Sequence, residues 1–277
     1  MSDMPNWLLN SLRAAEEERK RKQGIQMSAL QRLYSQMPPK SVTVKDSYNR
    51  MVANFKKAAD GDITKGRELP KLEDIGLADG RALQAAILYC DLRGYSALVS
   101  KHPKKKIILI LDTFVTEMTR IAADFGGAVV DCAGDRIMAV FSRPHGDYSV
   151  QPIHKAVTCA FWMQTIIQKG LSPILKSMSF PEISCSIGID YGPVVVTRVG
   201  IRNNNKLVFL GDAANWAAKI EDIAEPGETN MSVSVYKHKP AFMTTAAGWE
   251  CFAKPNSVNP SWYSCKSHFA GDFASIP

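Results

Sequence analysis

The sequence lacks the cysteine pattern of a metal finger. Its six cysteines occur singly, without a C-x-x-C pair and without the histidine or cysteine spacing of a ligand set. We therefore expect small buried residues in a reducing compartment. The six are Cys90, Cys132, Cys159, Cys185, Cys251 and Cys265.

Long apolar runs are also missing. No run approaches the roughly 18–20 residues that a membrane-spanning helix needs. Residues 1–12 have no basic region followed by a long apolar region, so they do not read as a secretion signal. The chain has no internal repeat and no low-complexity tract. We expect a cytoplasmic protein that does not cross a membrane.

The composition of the chain is that of a folded protein. With 277 residues, 45% of them hydrophobic and 22% charged, it can bury one large core, with or without an appended arm. The formal net charge of +7 suits a polyanionic partner such as nucleic acid, an anionic membrane or a nucleotide phosphate. On charge alone, a solvated basic surface is the simpler interpretation.

The first part of the chain is predicted to be helical. Charged helical patterns cover residues 7–34 and 45–59, and Leu69-Pro70 follows a loop rich in glycine and aspartate. We predict an N-terminal helical arm over residues 1–75 and a main domain over residues 76–277.

In the main domain, strand and helix patterns alternate. This order predicts an α+β fold with a mostly antiparallel sheet covered by helices. The predicted strands are 85–90, 128–130, 136–141, 183–190, 194–199 and 207–210, and the predicted helices are 106–125, 154–168 and 213–224.

Two aspartates follow buried strand patterns directly. Asp91 precedes Leu-Arg-Gly, and Asp135 follows Ala-Gly in a turn. A carboxylate at a strand end, beside a glycine that lets backbone amides approach a ligand, suits Mg²⁺ held against a triphosphate. Each aspartate taken alone fits a turn or cap residue equally well.

Three blocks in the chain resemble the catalytic domain of class III adenylate and guanylate cyclases, a ferredoxin-like or palm-type fold. They are 91–96 (DLRGYS), 127–141 with its AGDRIMAVF segment, and 186–195 (SIGIDYGPVV) leading to 211–221 (GDAANWAAKIE). Their order and spacing match the family from about residue 87 to 235. The resemblance implies that a nucleoside triphosphate is closed to a 3′,5′-cyclic nucleotide with release of pyrophosphate.

The resemblance also implies the parts of a two-metal site. Asp91, Asp135 and the Leu92 carbonyl would hold two Mg²⁺ or Mn²⁺ ions. Backbone amides at a helix start would cradle the phosphate oxygens, and these belong to Arg93, Gly94, Tyr95 and Ser96.

A helix in the third block carries the residues that the family uses on the ribose and the transition state. The family pattern is Asn and Arg one turn apart, and this chain has Asn215 and Lys219. Lysine keeps the positive charge but lacks the planar fork of arginine. Because family sites form between two catalytic domains, the resemblance implies a homodimer with two shared sites.

Two further positions choose the base in this family, and here they are Asp131 and Val208. Neither the adenine pattern nor the guanine pattern of the family is present. Asp131 can accept from N3–H of uracil, from N1–H and the amino group of guanine, or from the amino group of cytosine. The unprotonated N1 of adenine is itself an acceptor, so it would form no hydrogen bond with the carboxylate and would be repelled by it. We favour UTP as substrate, with CTP and GTP as alternatives.

The architecture of a cyclase with only a helical arm resembles the stand-alone pyrimidine cyclases of bacterial anti-phage (Pycsar) systems. The resemblance implies a cyclic nucleotide that is read by a separate effector protein. Tyr48 and Arg50 of the arm are minor candidates for covering the base, although a packing or surface role suits them better.

Three other functions fit the sequence less well. A diguanylate synthase should show a Gly-Gly-Asp/Glu-Glu-Phe turn, and the sequence has none. A degenerate cyclase that only binds nucleotide or protein is disfavoured because both metal aspartates are present. Nucleic-acid binding through the basic runs 19–22 and 104–106 is disfavoured because aromatic residues are not interleaved with them.

Overall fold

A computed structural model describes residues 44–144, 146–201, 203–241, 243, 249–254 and 262–267. The chain divides between Gly61 and Asp62 into two units. The first unit contains helix α1, Val44–Ala59, which agrees with the helix predicted for 45–59. The helix predicted for 7–34 lies outside the described residues.

The second unit alternates strands and helices as the sequence predicts. No helix in the described part of the chain is long and apolar enough to cross a bilayer. The strands are β1 (Ile63–Lys65), β2 (Gly80–Arg93), β3 (Ala128–Ala133), β4 (Arg136–Pro144), β5 (Ser184–Ile201), β6 (Asn204–Leu210), β7 (Glu228–Ser232), β8 (Trp249–Lys254) and β9 (Trp262–Ser267). The helices are α2 (Tyr95–Lys101), α3 (Lys104–Asp124), α4 (Gln151–Thr165), α5 (Ser172–Ser177), α6 (Asp212–Asp222) and α7 (Val233–Lys237), and a π-helical segment, Ile166–Leu171, joins α4 to α5.

Within the described residues, nine strands form one sheet, and seven of them follow the order β3-β4-β2-β5-β7-β9-β8. β1 adds to β2, and β6 adds to β5. Among the strands that the structure describes, only the β1–β2 and β5–β7 pairs are parallel, so the predicted mostly antiparallel sheet is confirmed. Because β1 pairs with β2, the sheet begins within the segment 62–75 that the sequence assigned to the arm.

β5 is longer than the sequence suggested. We predicted two strands interrupted at Gly192-Pro193, but β5 runs unbroken from Ser184 to Ile201. β2 pairs with it through Pro193, while the pairing on its other edge changes from β7 at 187–189 to β6 at 195–201. Pro193 therefore lies where one edge of β5 has no partner among the described strands, and a residue without an N–H is tolerated there.

Helices cover the sheet on two faces. In β2, Leu88 and Cys90 point into a core built with α3 and α4, whereas Leu83 and Ile87 pack on the opposite face against α6. α6 lies so close to β5 that a Cβ atom added at Gly188 would stand 2.2 Å from the Ala217 carbonyl oxygen. The glycine is thus what allows α6 to reach the sheet.

The cysteine prediction was wrong in two respects. Cys251 and Cys265 form a disulfide, because the antiparallel pairing of β8 with β9 puts them directly opposite each other. Cys132 is exposed rather than buried. Cys90, Cys159 and Cys185 are free and buried, as predicted.

Candidate active site

The two predicted metal aspartates lie at neighbouring strand ends. Asp91 is near the end of β2, opposite Arg136 of β4. Gly134, at φ +67°, forms the β3–β4 turn that carries Asp135. The Leu92 amide donates to the Asp135 carbonyl at 3.4 Å, which joins the turn to the end of β2. The fold therefore brings together two carboxylates that are 44 positions apart in the sequence.

The electrostatics of the two carboxyls suit a cation. Burial raises the pKa of Asp135, and the negative charge of Asp91 raises it further. Burial also raises the pKa of Asp91, while Arg93 and Arg136 act in the opposite direction. Two carboxylates that repel each other beside the Leu92 carbonyl form an oxygen donor set that fits Mg²⁺ or Mn²⁺. The described residues contain no group of three or more acidic, histidine or cysteine side chains that could hold a metal.

Beside the aspartates lies a buried charge cluster formed by Arg93, Arg136 and Glu221. The Glu221 carboxylate, 1% exposed, lies 2.9 Å from Arg136 and 3.3 Å from Arg93, and it accepts from the Ser186 hydroxyl at 2.6 Å. This cluster ties α6 to β2 and β4, the strands that carry or flank the aspartates. Sequence reasoning missed it, although Glu221 falls on the same helical stripe as the buried Ala213 and Ala217.

The predicted phosphate loop forms a turn into α2. Gly94 adopts φ +79° and precedes the helix, Tyr95 packs partly against the core, and Ser96 is exposed. The Arg93 guanidinium donates to the Glu221 and Asp222 carbonyls at 2.6 and 3.3 Å. The Arg93 side chain is thus held by α6, and the binding of phosphate by the backbone amides of residues 93–96 stays a prediction.

Asn215 and Lys219 lie on the exposed stripe of α6, one turn apart. The residues between them that face the sheet, such as Ala217, are buried. The contacts of Glu221 hold the C-terminal end of this helix against the strand ends. The helix therefore presents both polar side chains to solvent on a firmly anchored element.

The two predicted base-reading positions lie on different strands. Asp131 belongs to β3 and not to the following turn, and its carboxylate lies 3.4 Å from the Lys206 ammonium of β6. Val208, half-buried, is two residues further along β6. Sequence reasoning missed Lys206, although the period of a strand puts it on the same face as Val208.

Tyr48 and Arg50 lie on α1, in the other unit of the chain. Tyr48 is 60% exposed, and Arg50 donates to the Ser47 hydroxyl at 3.0 Å. Their assignment as base-covering residues stays a prediction.

Comparison with known proteins identifies the family. The adenylate and guanylate cyclase catalytic domain matches residues 79–249, more than half of the chain. The chain belongs to this family. The matched region of this class III nucleotide cyclase contains every predicted metal, phosphate and helix-borne site residue.

Individual relatives agree with that assignment. The chain is similar to the uridylate cyclase of Rhodovulum sp. (strain MB263), with 29% identity over 64% of this chain and 75% of the relative. It is also similar to the uridylate cyclase of Burkholderia cepacia, with 31% identity over 63% of this chain and 76% of the relative. The adenylyl cyclase CyaB of P. aeruginosa shares the fold, with a TM-score of 0.60 and 20% identity over 69% of this chain and 98% of CyaB.

Proposed function

We propose that this cyclase converts UTP to cyclic UMP and pyrophosphate. The observation that carries the cyclase chemistry is the pair Asp91 and Asp135 at hydrogen-bonded strand ends. The choice of UTP rests on Asp131 and on the similarity to two uridylate cyclases. CTP and GTP are the alternative substrates that a carboxylate at position 131 would accept.

In the reaction, the ribose 3′-oxygen attacks the α-phosphorus. A bond forms between these two atoms, the bond from the α-phosphorus to the β-phosphate oxygen breaks, and the 3′-hydroxyl loses its proton as pyrophosphate leaves. Two divalent metal ions, held by Asp91, Asp135 and the Leu92 carbonyl, would lower the pKa of the hydroxyl and offset the phosphate charge. The amides of residues 93–96 bind the phosphate oxygens.

Asn215 and Lys219 supply the other half of the chemistry. Asn215 orients the ribose by hydrogen bonds, which holds the attacking oxygen in line with the leaving group. The Lys219 ammonium stabilises the negative charge that develops on the α-phosphate. In the proposed homodimer these two residues act on the triphosphate that is bound to the aspartates of the partner, so each dimer has two shared sites.

The product is proposed to be a second messenger. Since the chain resembles stand-alone pyrimidine cyclases, we infer that a separate effector protein reads the cyclic nucleotide during anti-phage defence. This role rests on the resemblance alone, and it extends the enzymatic proposal without altering it.

A nucleotide panel tests the enzymatic proposal. Purified protein is incubated with UTP, CTP, GTP or ATP and Mn²⁺, and products are identified by mass spectrometry. We expect cyclic UMP as the main product. Asp135→Ala should lose turnover because it removes half of the carboxylate pair, whereas Asp112→Ala, an exposed change on α3, should keep it. Full activity of the Asp135 variant would contradict the metal assignment, and bound nucleotide without product would favour a degenerate binding module.

Mixing two inactive variants tests the shared site. Asp135→Ala removes a metal carboxylate, and Lys219→Ala removes the cation on α6. A heterodimer of the two variants keeps one complete site. The activity of each heterodimer should therefore approach half that of the unaltered dimer. The mixture must first be shown to exchange subunits by mass spectrometry. Exchange without recovered activity would mean that each chain builds its own site.

A further inference from the structure

We propose that Lys206 is a second base-reading residue that acts together with Asp131. The inference rests on the proposed function and deepens it, because it names the group that would bind a carbonyl of the base. Neither the family pattern of the sequence nor the two predicted positions, Asp131 and Val208, includes this lysine.

The fold brings Lys206 to Asp131 from a distant strand. The two residues are 75 positions apart, and the two strands do not pair with each other. Leu207 and Phe209 pack against the apolar cluster that Val130 also contacts, which draws β6 towards β3. The Lys206 ammonium then lies 3.4 Å from the Asp131 carboxylate.

The charge pair is accessible to a ligand. Lys206 and Asp131 are 69% and 48% exposed, so both charged groups keep contact with water. An exposed ion pair contributes little to folding, so a ligand can open or join it at little cost. The Val208 side chain lies on the same face of β6 as Lys206 and would supply an apolar contact beside the pair.

An ammonium beside a carboxylate matches one edge of uracil. Asp131 accepts the hydrogen bond from N3–H, and Lys206 donates to a neighbouring ring carbonyl. Cytosine presents the reverse order at the same edge, since its N3 is an acceptor and its C4 substituent is a donor. Lys206 thereby gives the site a donor that an isolated Asp131 lacks.

Two variants test this role. Lys206→Met keeps the length of the side chain but removes the donor. Loss of a hydrogen bond to a charged group should lower kcat/KM for UTP about 10- to 150-fold and should lower it much less for CTP. The exchange Asp131→Lys with Lys206→Asp keeps an ion pair but reverses donor and acceptor, so it should shift the UTP-to-CTP ratio of kcat/KM towards CTP.

A matched control separates base reading from loss of a surface ion pair. Lys176 pairs with Glu182, and both side chains are exposed as Lys206 and Asp131 are. Lys176→Met should leave the UTP-to-CTP ratio unchanged. An unchanged ratio in Lys206→Met, or an equal loss for UTP and CTP, would overturn the proposal.

Binding measurements keep this test independent of turnover. UTP and CTP affinities are measured by calorimetry with Mn²⁺ in the Asp135→Ala background, with and without Lys206→Met. We expect UTP binding to weaken more than CTP binding when Lys206 is lost, and equal effects would overturn the inference. If the unaltered protein forms no cyclic nucleotide yet binds UTP through Lys206, the proposed function fails and the inference stands.

Discussion

Two charge clusters border the candidate site, and they differ in burial. The first joins Glu221 to Arg93 and Arg136, with the glutamate 1% exposed and its cations 24% and 27% exposed. The second joins Asp131 to Lys206, both largely exposed. Buried charges need partners at all times, whereas exposed charges can exchange a protein partner for a ligand. The first cluster is suited to fixing the elements of the site against each other. The second is suited to binding a ligand.

The buried cluster connects the elements that carry the proposed chemistry. Burial raises the pKa of Glu221, while the Ser186 hydroxyl and then Arg136 act to lower it. Its carboxylate therefore depends on these partners to stay ionised inside the fold. Through Arg93 and Arg136 it fixes the helix of Asn215 and Lys219 against the strand ends of Asp91 and Asp135.

The largest expected effect comes from breaking the buried cluster. Glu221→Ala removes the buried carboxylate that two partly buried guanidinium groups share and leaves Arg136 paired with the exposed Asp222, which should cost about 3–5 kcal/mol of unfolding free energy. Asp222→Ala is the matched control, since Asp222 also pairs with Arg136 but is 63% exposed. It should cost less than about 1 kcal/mol. Urea denaturation measures both, and equal losses would remove the distinction between the two clusters.

The next effect concerns the contact of α6 with the sheet. A Cβ at Gly188 would stand 2.2 Å from the Ala217 carbonyl oxygen, so Gly188→Ala must displace the helix. Overpacking of this kind costs about 1–3 kcal/mol. At Gly192, on the same strand, the nearest atom would be 3.5 Å away, so Gly192→Ala should be tolerated. If denaturation midpoints show no difference between the two variants, α6 is free to move.

Asp190, whose carboxylate lies near Asp212 at the start of α6, should have a smaller effect on stability that depends on pH. Burial raises the pKa of Asp190 to about 6 from 3.8, although Ser232 and the Tyr191 amide bind the ionised form. The folded state thus holds this proton more tightly, and the stability contributed by Asp190 is lost as the pH rises from about 4 to about 6. Asp190→Asn should reduce that loss in urea titrations between pH 4 and 7, whereas the exposed Asp112→Asn should leave it unchanged.

The smallest expected effect is on the exposed pair. Lys206→Met should change the unfolding free energy by less than about 1 kcal/mol. This difference should shrink further as added salt screens the pair in the unaltered protein. The same variant should alter base preference strongly if Lys206 reads the base. A stability loss of more than about 2 kcal/mol would instead mean that Lys206 has a structural role like that of the buried cluster.

The sequence predicted most of the fold because its signals are local. Apolar periodicity located α3, α4 and α6 within a few residues, and it indicated a mostly antiparallel sheet. Local rules failed at Pro193, where a proline suggested a break. β5 continues there because β2 pairs with it through Pro193 on one edge, while the partner on the other edge changes from β7 to β6. The sequence of a single segment does not reveal which strands lie beside it.

The sequence by itself determined the family, the strand-end positions of Asp91 and Asp135, and the spacing of Asn215 and Lys219 on one helical face. Each of these rests on short sequence blocks whose residues are only a few positions apart, and the family also rests on the order and spacing of three such blocks. Only the tertiary structure decided that Glu221 meets Arg93 across 128 positions and that Asp131 meets Lys206 across 75. Such pairs depend on how the sheet bends and how closely α6 packs, and these follow from the packing of the whole core.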